Sequence, residues 1–85
     1  MIGAFCDEDL LEKELEDERF KIKVSRNFYG GMLVSEKVAT RMMKRLTIGN
    51  LIGKNTVDAA VRSGFITEEN IIQIDGVPHA QFVKF

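Results

Sequence analysis

The chain has 85 residues, 45% of them hydrophobic and 29% charged, with a formal net charge of −1. That length and balance describe one small globular domain, 1–85, whose core buries about 60–65% of the surface its unfolded form exposes. One cysteine, Cys6, excludes an internal disulfide; with a single histidine, His79, it cannot complete the usual four-ligand zinc set.

Met1 to Cys6 reads as a short buried strand. It runs at once into Asp7, Glu8 and Asp9, without a basic leader or a long apolar stretch, so no secretory signal is expected. No run approaches the roughly 20 apolar residues of a membrane span. The expectation is a cytoplasmic protein without metal or cofactor. Asp7 or Asp9 then caps a helix, with Asp9 and Glu12 at capping-box spacing, acids in the first turn, and Leu10, Leu11 and Leu15 on its apolar edge. This acidic helix is expected to fray before Arg19.

Phe20 to Ser25 alternates strictly, with Phe20, Ile22 and Val24 facing one way and Lys21 and Lys23 the other, which predicts a half-buried strand. Arg26 to Gly31 reads as a loop whose double glycine permits positive φ, and Met32 to Val34 as a short strand leading out of it. Ser35 caps a helix with Val38, Met42, Met43 and Leu46 at helical spacing. The pattern runs on through Ile48, Leu51 and Ile52 to Gly53, read as a C-terminal stop. Asn55 caps a further helix, with Val57, Ala60 and Val61 inward. Gly64, followed by Phe65 and Ile66, ends it as a Schellman-type stop. Thr67 caps one turn, and Ile71 to Ile74 is a strand. Asp75 to Pro78 is a turn, and His79 to Phe85 is the last strand of a C-terminal hairpin. The order β-α-β-(β)-α-α-β-β predicts an α+β fold, with a mainly antiparallel sheet and two or three helices.

Charge is separated along the chain. Residues 1–20 carry −6, residues 21–63 carry +7 and residues 64–85 carry −2. Sign separation of this kind fits a polyanionic partner, or two blocks that face each other or sit in water. Arg41, Lys44 and Arg45 fall on adjacent turns of one helix, with Lys37 on the same polar face. Lys54 lies beyond its end, and Lys21, Lys23 and Arg26 lie on the strand and loop. Tyr29, beside Gly30 and Gly31, offers a ring for base stacking over accessible backbone, or folds back on the core as Phe28 is expected to do.

Other chemistry fits less well. In the last strand His79 and Gln81 share a face, with Val83 and Phe85. A catalytic His79 needs a nucleophile, and Cys6 is the sole thiol. The inventory allows Cys6, His79 and Gln81 together, but no spacing selects them. His79 is therefore read as a solvated or ligand-touching residue. Gly49 to Asn55 resembles a phosphate loop only superficially. Three residues separate its glycines where the Walker pattern has four, and Asn55 stands where Ser or Thr is needed. Gly49 with Gly53 reads as a place where the helix packs closely or ends. The N–H groups opening the Asn55 helix could still hold one phosphate, helped by Lys54. The acids of 7–18 lack the spacing of a calcium loop and read as a solvated face.

Three stretches, "CDEDLL" (6–11), "VSRNFYGGMLVSE" (24–36) and "IDGVPHAQFV" (74–83), with "TIGNLIGKNTVDAAVRSGFI" (47–66) between the last two, resemble the archaeal family known as domain of unknown function 424. The resemblance implies a small archaeal protein with no established catalytic activity, and by association an informational role such as translation. It marks Tyr29-Gly30-Gly31 and His79 with Gln81 as two signatures outside the core, expected to share a site. It also implies an additional strand ahead of Met1 to Cys6, whose absence here would leave a sheet edge for another chain to cover.

The functional expectation is a non-enzymatic module that binds RNA or a ribonucleoprotein such as the ribosome. Arg26, Arg41, Lys44, Arg45 and Lys54 would contact phosphates. Tyr29, Gly30, Gly31, His79 and Gln81 would contact bases or backbone. The alternatives are a protein–protein adaptor, using the sheet edge and the acidic 7–18 helix against a basic protein, and an enzyme using Cys6 or His79.

Overall fold

The computed structural model describes residues 1–84. Its strands are β1 (Ile2–Cys6), β2 (Glu14–Glu16), β3 (Lys21–Lys23), β4 (Ile48–Ile52), β5 (Ile72–Ile74) and β6 (Val77–Val83), and its helices are α1 (Arg26–Tyr29), α2 (Glu36–Lys44) and α3 (Lys54–Arg62). Phe85, placed by sequence at the end of the last strand, lies outside the described residues.

The main sheet has the order β1-β4-β6-β5, while β2 and β3 form a separate ribbon. Within the sheet only β1 and β4 run parallel; β4–β6 and β5–β6 are antiparallel. The α+β, mainly antiparallel expectation is met. The C-terminal hairpin follows from its turn: Asp75 and Gly76 have φ of 53° and 77°, as a two-residue type I′ connection requires. β6 starts at Val77, earlier than expected, so Pro78 lies inside it.

The largest departure from the sequence reading is β4, which was expected to continue the preceding helix. Instead α2 ends at Lys44. Thr47 then docks on the N-terminus: its N–H and hydroxyl donate to Met1 O (2.9 and 3.0 Å), and the Met1 ammonium donates to Thr47 Oγ1 (2.9 Å). Leu51 and Ile52, adjacent and therefore on opposite faces, are both 0% exposed. A strand covered on both sides is apolar on both sides, and over five residues its spacing mimics a helical face.

On one face, Leu51, Ala80 and Phe82 pack with Met43, Leu46, Val57, Ala60 and Ile66 beneath α2 and α3. On the other, Ile52 and Ile74 pack with Leu15 and Val24 of the ribbon side. Gly49 pairs with Phe82 across the strands. A Cβ there would overlap the Phe82 ring, so the close approach read from this glycine is real but belongs to a sheet.

Residues 7–18 are not a helix. They form a 3-10 turn at Glu8–Leu10, reverse at Glu12 (φ 69°), and enter β2. Leu10, Leu11 and Leu15 fit both a helix edge and this turn-then-strand path. β2 sets Glu14 and Glu16 directly opposite Lys23 and Lys21 of β3, with Leu15 opposite Ile22. Facing opposite charges in a ladder contribute about 0.2–1 kcal/mol per pair. Part of the basic block is thus laid against the acidic one. Met32 to Val34 has no strand, and the Arg26 to Gly31 loop contains the single turn α1, capped by Ser25 Oγ, which accepts from Asn27 N–H (3.2 Å).

α3 ends as expected: Phe65 N–H donates to Ala60 O (3.0 Å) and Gly64 N–H to Val61 O (3.1 Å), with Gly64 at φ 80°. This is the paired bonding of a Schellman stop. The start of α3 differs. Gly53, not Asn55, is the residue before its first turn, and the cap comes from Asp7.

Candidate nucleic-acid interface

Ser35 starts α2 by accepting the Val38 N–H (3.3 Å). Lys37, Arg41 and Lys44 then follow at spacings of four and three, which puts them on one face. α3 packs alongside α2 and brings Arg62 to the same place. These four exposed basic residues line a shallow groove of about 500 Å³ with Thr40, Ser63 and Glu36. Glu36 accepts a hydrogen bond from Arg62. Lys84 holds the C-terminal end of α2 by donating to Met43 O and Lys44 O (3.0 Å each), its ammonium over the Phe65 ring. A cation at orphan helix carbonyls is favoured.

The other candidates lie elsewhere. Arg45, exposed, is the C-cap just after α2, and Lys54 is exposed at the start of α3. The phosphate seat proposed beside Lys54 is already filled by the chain itself. Asp7 accepts from Asn55 N–H (3.0 Å), Thr56 N–H (2.8 Å) and the Thr56 hydroxyl (2.7 Å). Arg26 and Lys23 both pair with Glu12, at 3.7 and 3.5 Å.

Of the two readings for Tyr29, folding back on the core is the one the fold adopts, whereas Phe28, expected inside, is outside. Tyr29 packs against the Leu15–Val24–Ile52–Ile74 cluster, and burial pushes its hydroxyl pKa up, with the Cys6 thiol adding to the shift. Phe28 is the exposed ring, at 56%, standing edge-on to Tyr29 with centroids 4.9 Å apart.

Tyr29, Gly30 and Gly31, with Arg26, line a larger cleft of about 880 Å³ beside β1. His79 and Gln81 do not line it. They lie on β6, opposite Ile52 and Asn50. The two signature motifs therefore do not share this cleft. Burial pushes the His79 imidazole below its ordinary 6.5, so it is mostly neutral at pH 7 and offers a phosphate no full charge.

Cys6 and His79 are each paired with Ile52, on opposite sides of β4. Two strand spacings put them roughly 10 Å apart, with the fully buried Ile52 side chain between. The Cys6 thiol is raised by burial and then by the carboxylates of Asp7 and Asp9, the opposite of what activates a thiol. The arrangement does not bring His79 to the thiol as a base. Among the described residues, no three His, Cys, Asp or Glu side chains gather as a metal site, and no helix is long and apolar enough to cross a membrane.

Of the predicted contacts, Arg41 and Lys44 thus share the groove. Lys37 was placed on the right helix face. Arg62 was left out because only the packing of α3 on α2 brings it in; its position in the last turn of a predicted helix was the available signal.

A family model described as "Protein of unknown function (DUF424)" matches residues 2–85. Among solved structures, an uncharacterized conserved protein from Methanopyrus kandleri is similar, with a TM-score of 0.83 and 26% identity over 99% of this chain and 83% of that one. No curated protein matches.

Proposed function

The chain belongs to the DUF424 family, and on that footing we propose that it is a non-enzymatic, cytoplasmic module that docks on RNA within a ribonucleoprotein such as the ribosome, in a translation-related role. The observation that carries this reading is the α2–α3 groove, where Lys37, Arg41, Lys44 and Arg62 converge around one carboxylate, Glu36. The groove is open and shallow, suited to a backbone lying across it and not to an enclosed small molecule. Lysine contributes point charges there, and arginine a planar fork that matches two phosphate oxygens. Such contacts fix position on the nucleic acid without reading its bases.

Sedimentation of native lysate tests the proposal. The protein should travel with ribosomal subunits at low salt and be released at high salt, because counterion release drives phosphate binding. A protein that stays at the top of the gradient at low salt overturns the ribosomal reading.

A further inference from the structure

We propose that the open edge of β1 receives an extended, lysine- or arginine-bearing segment of a partner protein as an added strand. This surface is separate from the RNA groove. β1 ends the sheet and pairs only with β4. In a parallel ladder, alternate residues bond to a given neighbour. At the two ends of β1, Met1 O accepts from Ile48 N–H and Asp7 N–H donates to Ile52 O. Gly3 and Phe5 therefore also turn towards β4, whereas the N–H and C=O groups of Ile2, Ala4 and Cys6 turn outwards. Among the described residues, none bonds to those outward groups. A bare row of this kind is a template for another strand.

Room for the strand is present. Residues 30–35 carry the chain from α1, on the ribbon face, to α2, on the helical face, and the cleft of about 880 Å³ lies between them and β1. That volume admits a short extended segment and not a second folded domain. An added strand would alternate its side chains between Phe5 and Met43 on one side and Cys6 and Tyr29 on the other. Met32 and Leu33 wait on the rim at 71% and 75% exposure.

Charge selects the occupant. Asp7 is spent on the start of α3, Glu36 on Arg62 and Arg26 on Glu12. Glu8 and Asp9, exposed at the end of β1 and lining the cleft, form no ion pair among the described residues. The unspent charge is negative and sits beside apolar walls, which fits apolar residues alternating with basic ones. Self-pairing would supply β1, which has no lysine or arginine among Ile2–Cys6 to set against the two carboxylates.

Amide hydrogen exchange on the 85-residue chain tests this, with a short synthetic peptide alternating Val and Lys as the probe. In the free protein, Ala4 and Cys6 amides should exchange faster than Phe5. Adding peptide should slow Ala4 and Cys6 by about tenfold or more and leave Phe5 unchanged. The same peptide with Glu replacing Lys should give no protection, and Glu8→Lys with Asp9→Lys should abolish the effect. Arg41→Glu, outside this cleft, should leave it intact, which separates failure here from failure of the RNA reading. Absent protection at saturating peptide, equal protection by the Glu peptide, or protection that grows with protein concentration alone as a dimer forms would each overturn the proposal.

Discussion

Asp7→Ala should destabilise the fold more than any other single loss of an acid in the N-terminal segment. The side chain is half-buried and reaches 48 residues along the chain to supply what α3 lacks, since Gly53 offers no side chain to cap it. Gly53 is needed for this: it stands at φ 111°, and a Cβ there would overlap the Asp7 carboxyl group. Three hydrogen bonds disappear in the variant. Loss of an ordinary N-cap costs about 0.5–2 kcal/mol. A charged acceptor at a helix N-terminus adds about 0.3–1 kcal/mol. The Thr56 hydroxyl bond, worth about 0.5–1.5 kcal/mol, goes as well, so mid-range values put the expected cost at about 2–3 kcal/mol. Asp7→Asn keeps one acceptor oxygen and should lose about 1 kcal/mol. For a chain of this length 1 kcal/mol is worth about 4–8 °C, so the Ala variant should melt about 10–20 °C lower. Urea unfolding followed by circular dichroism should show a lower midpoint at unchanged slope. Glu8→Ala, next door and exposed, should stay within about 0.5 kcal/mol. An Asp7→Ala midpoint indistinguishable from that control would refute the capping argument.

Gly49→Ala forces a methyl into the Phe82 ring and should cost about 1–3 kcal/mol by overpacking, read in the same urea titration. The burial that lowers the His79 pKa makes the unfolded chain bind its proton more tightly. Stability should thus fall as pH drops through 6.5 and towards the folded-state value, and a His79→Gln variant should lose that part of the slope. Asp17 behaves in the same direction at lower pH. Its carboxyl is held below 3.8 by the N–H groups of Asp75, Arg19 and Phe20. The stability it contributes is present above 3.8 and lost as pH falls through the folded value. Asp17→Asn should flatten the acid limb of a midpoint-against-pH curve while leaving the limb near 6.5 unchanged.

Caps, stops and turns whose bonding partners are chain neighbours were the most legible part of the fold. The Ser35 cap, the Gly64 stop and the Asp75-Gly76 turn each depend on contacts within a few residues, and each stands in the fold; of the strand expected over 20–25 only Lys21–Lys23 forms, and Phe20, expected on its buried face, is 37% exposed. What stayed hidden depends on distant partners. Ile48, Leu51 and Ile52 look helical until Met1 and the two covering layers make them a central strand. The acids of 7–18 look like one solvated face. The fold instead spends Asp7 on α3, Glu12 on Lys23 and Arg26, and Asp17 on the ribbon turn and Asp75. The site divides in the same way. Arg41 and Lys44 were readable from helical spacing. Arg62, from the other helix, and the exposure of Phe28 follow only from tertiary packing.

The groove account is tested most directly by the salt dependence of binding to a fluorescent single-stranded RNA, measured by anisotropy for the natural chain and for a variant with Lys37, Arg41 and Lys44 all changed to Ala. Engagement of three or four cations predicts a slope of log K against log salt of about −2 to −3, and the triple change, which leaves Arg62, should bring it to between zero and about −0.7 with a matching loss of affinity. An unchanged slope in the triple variant, or binding by the natural chain that is indifferent to salt, would contradict the account.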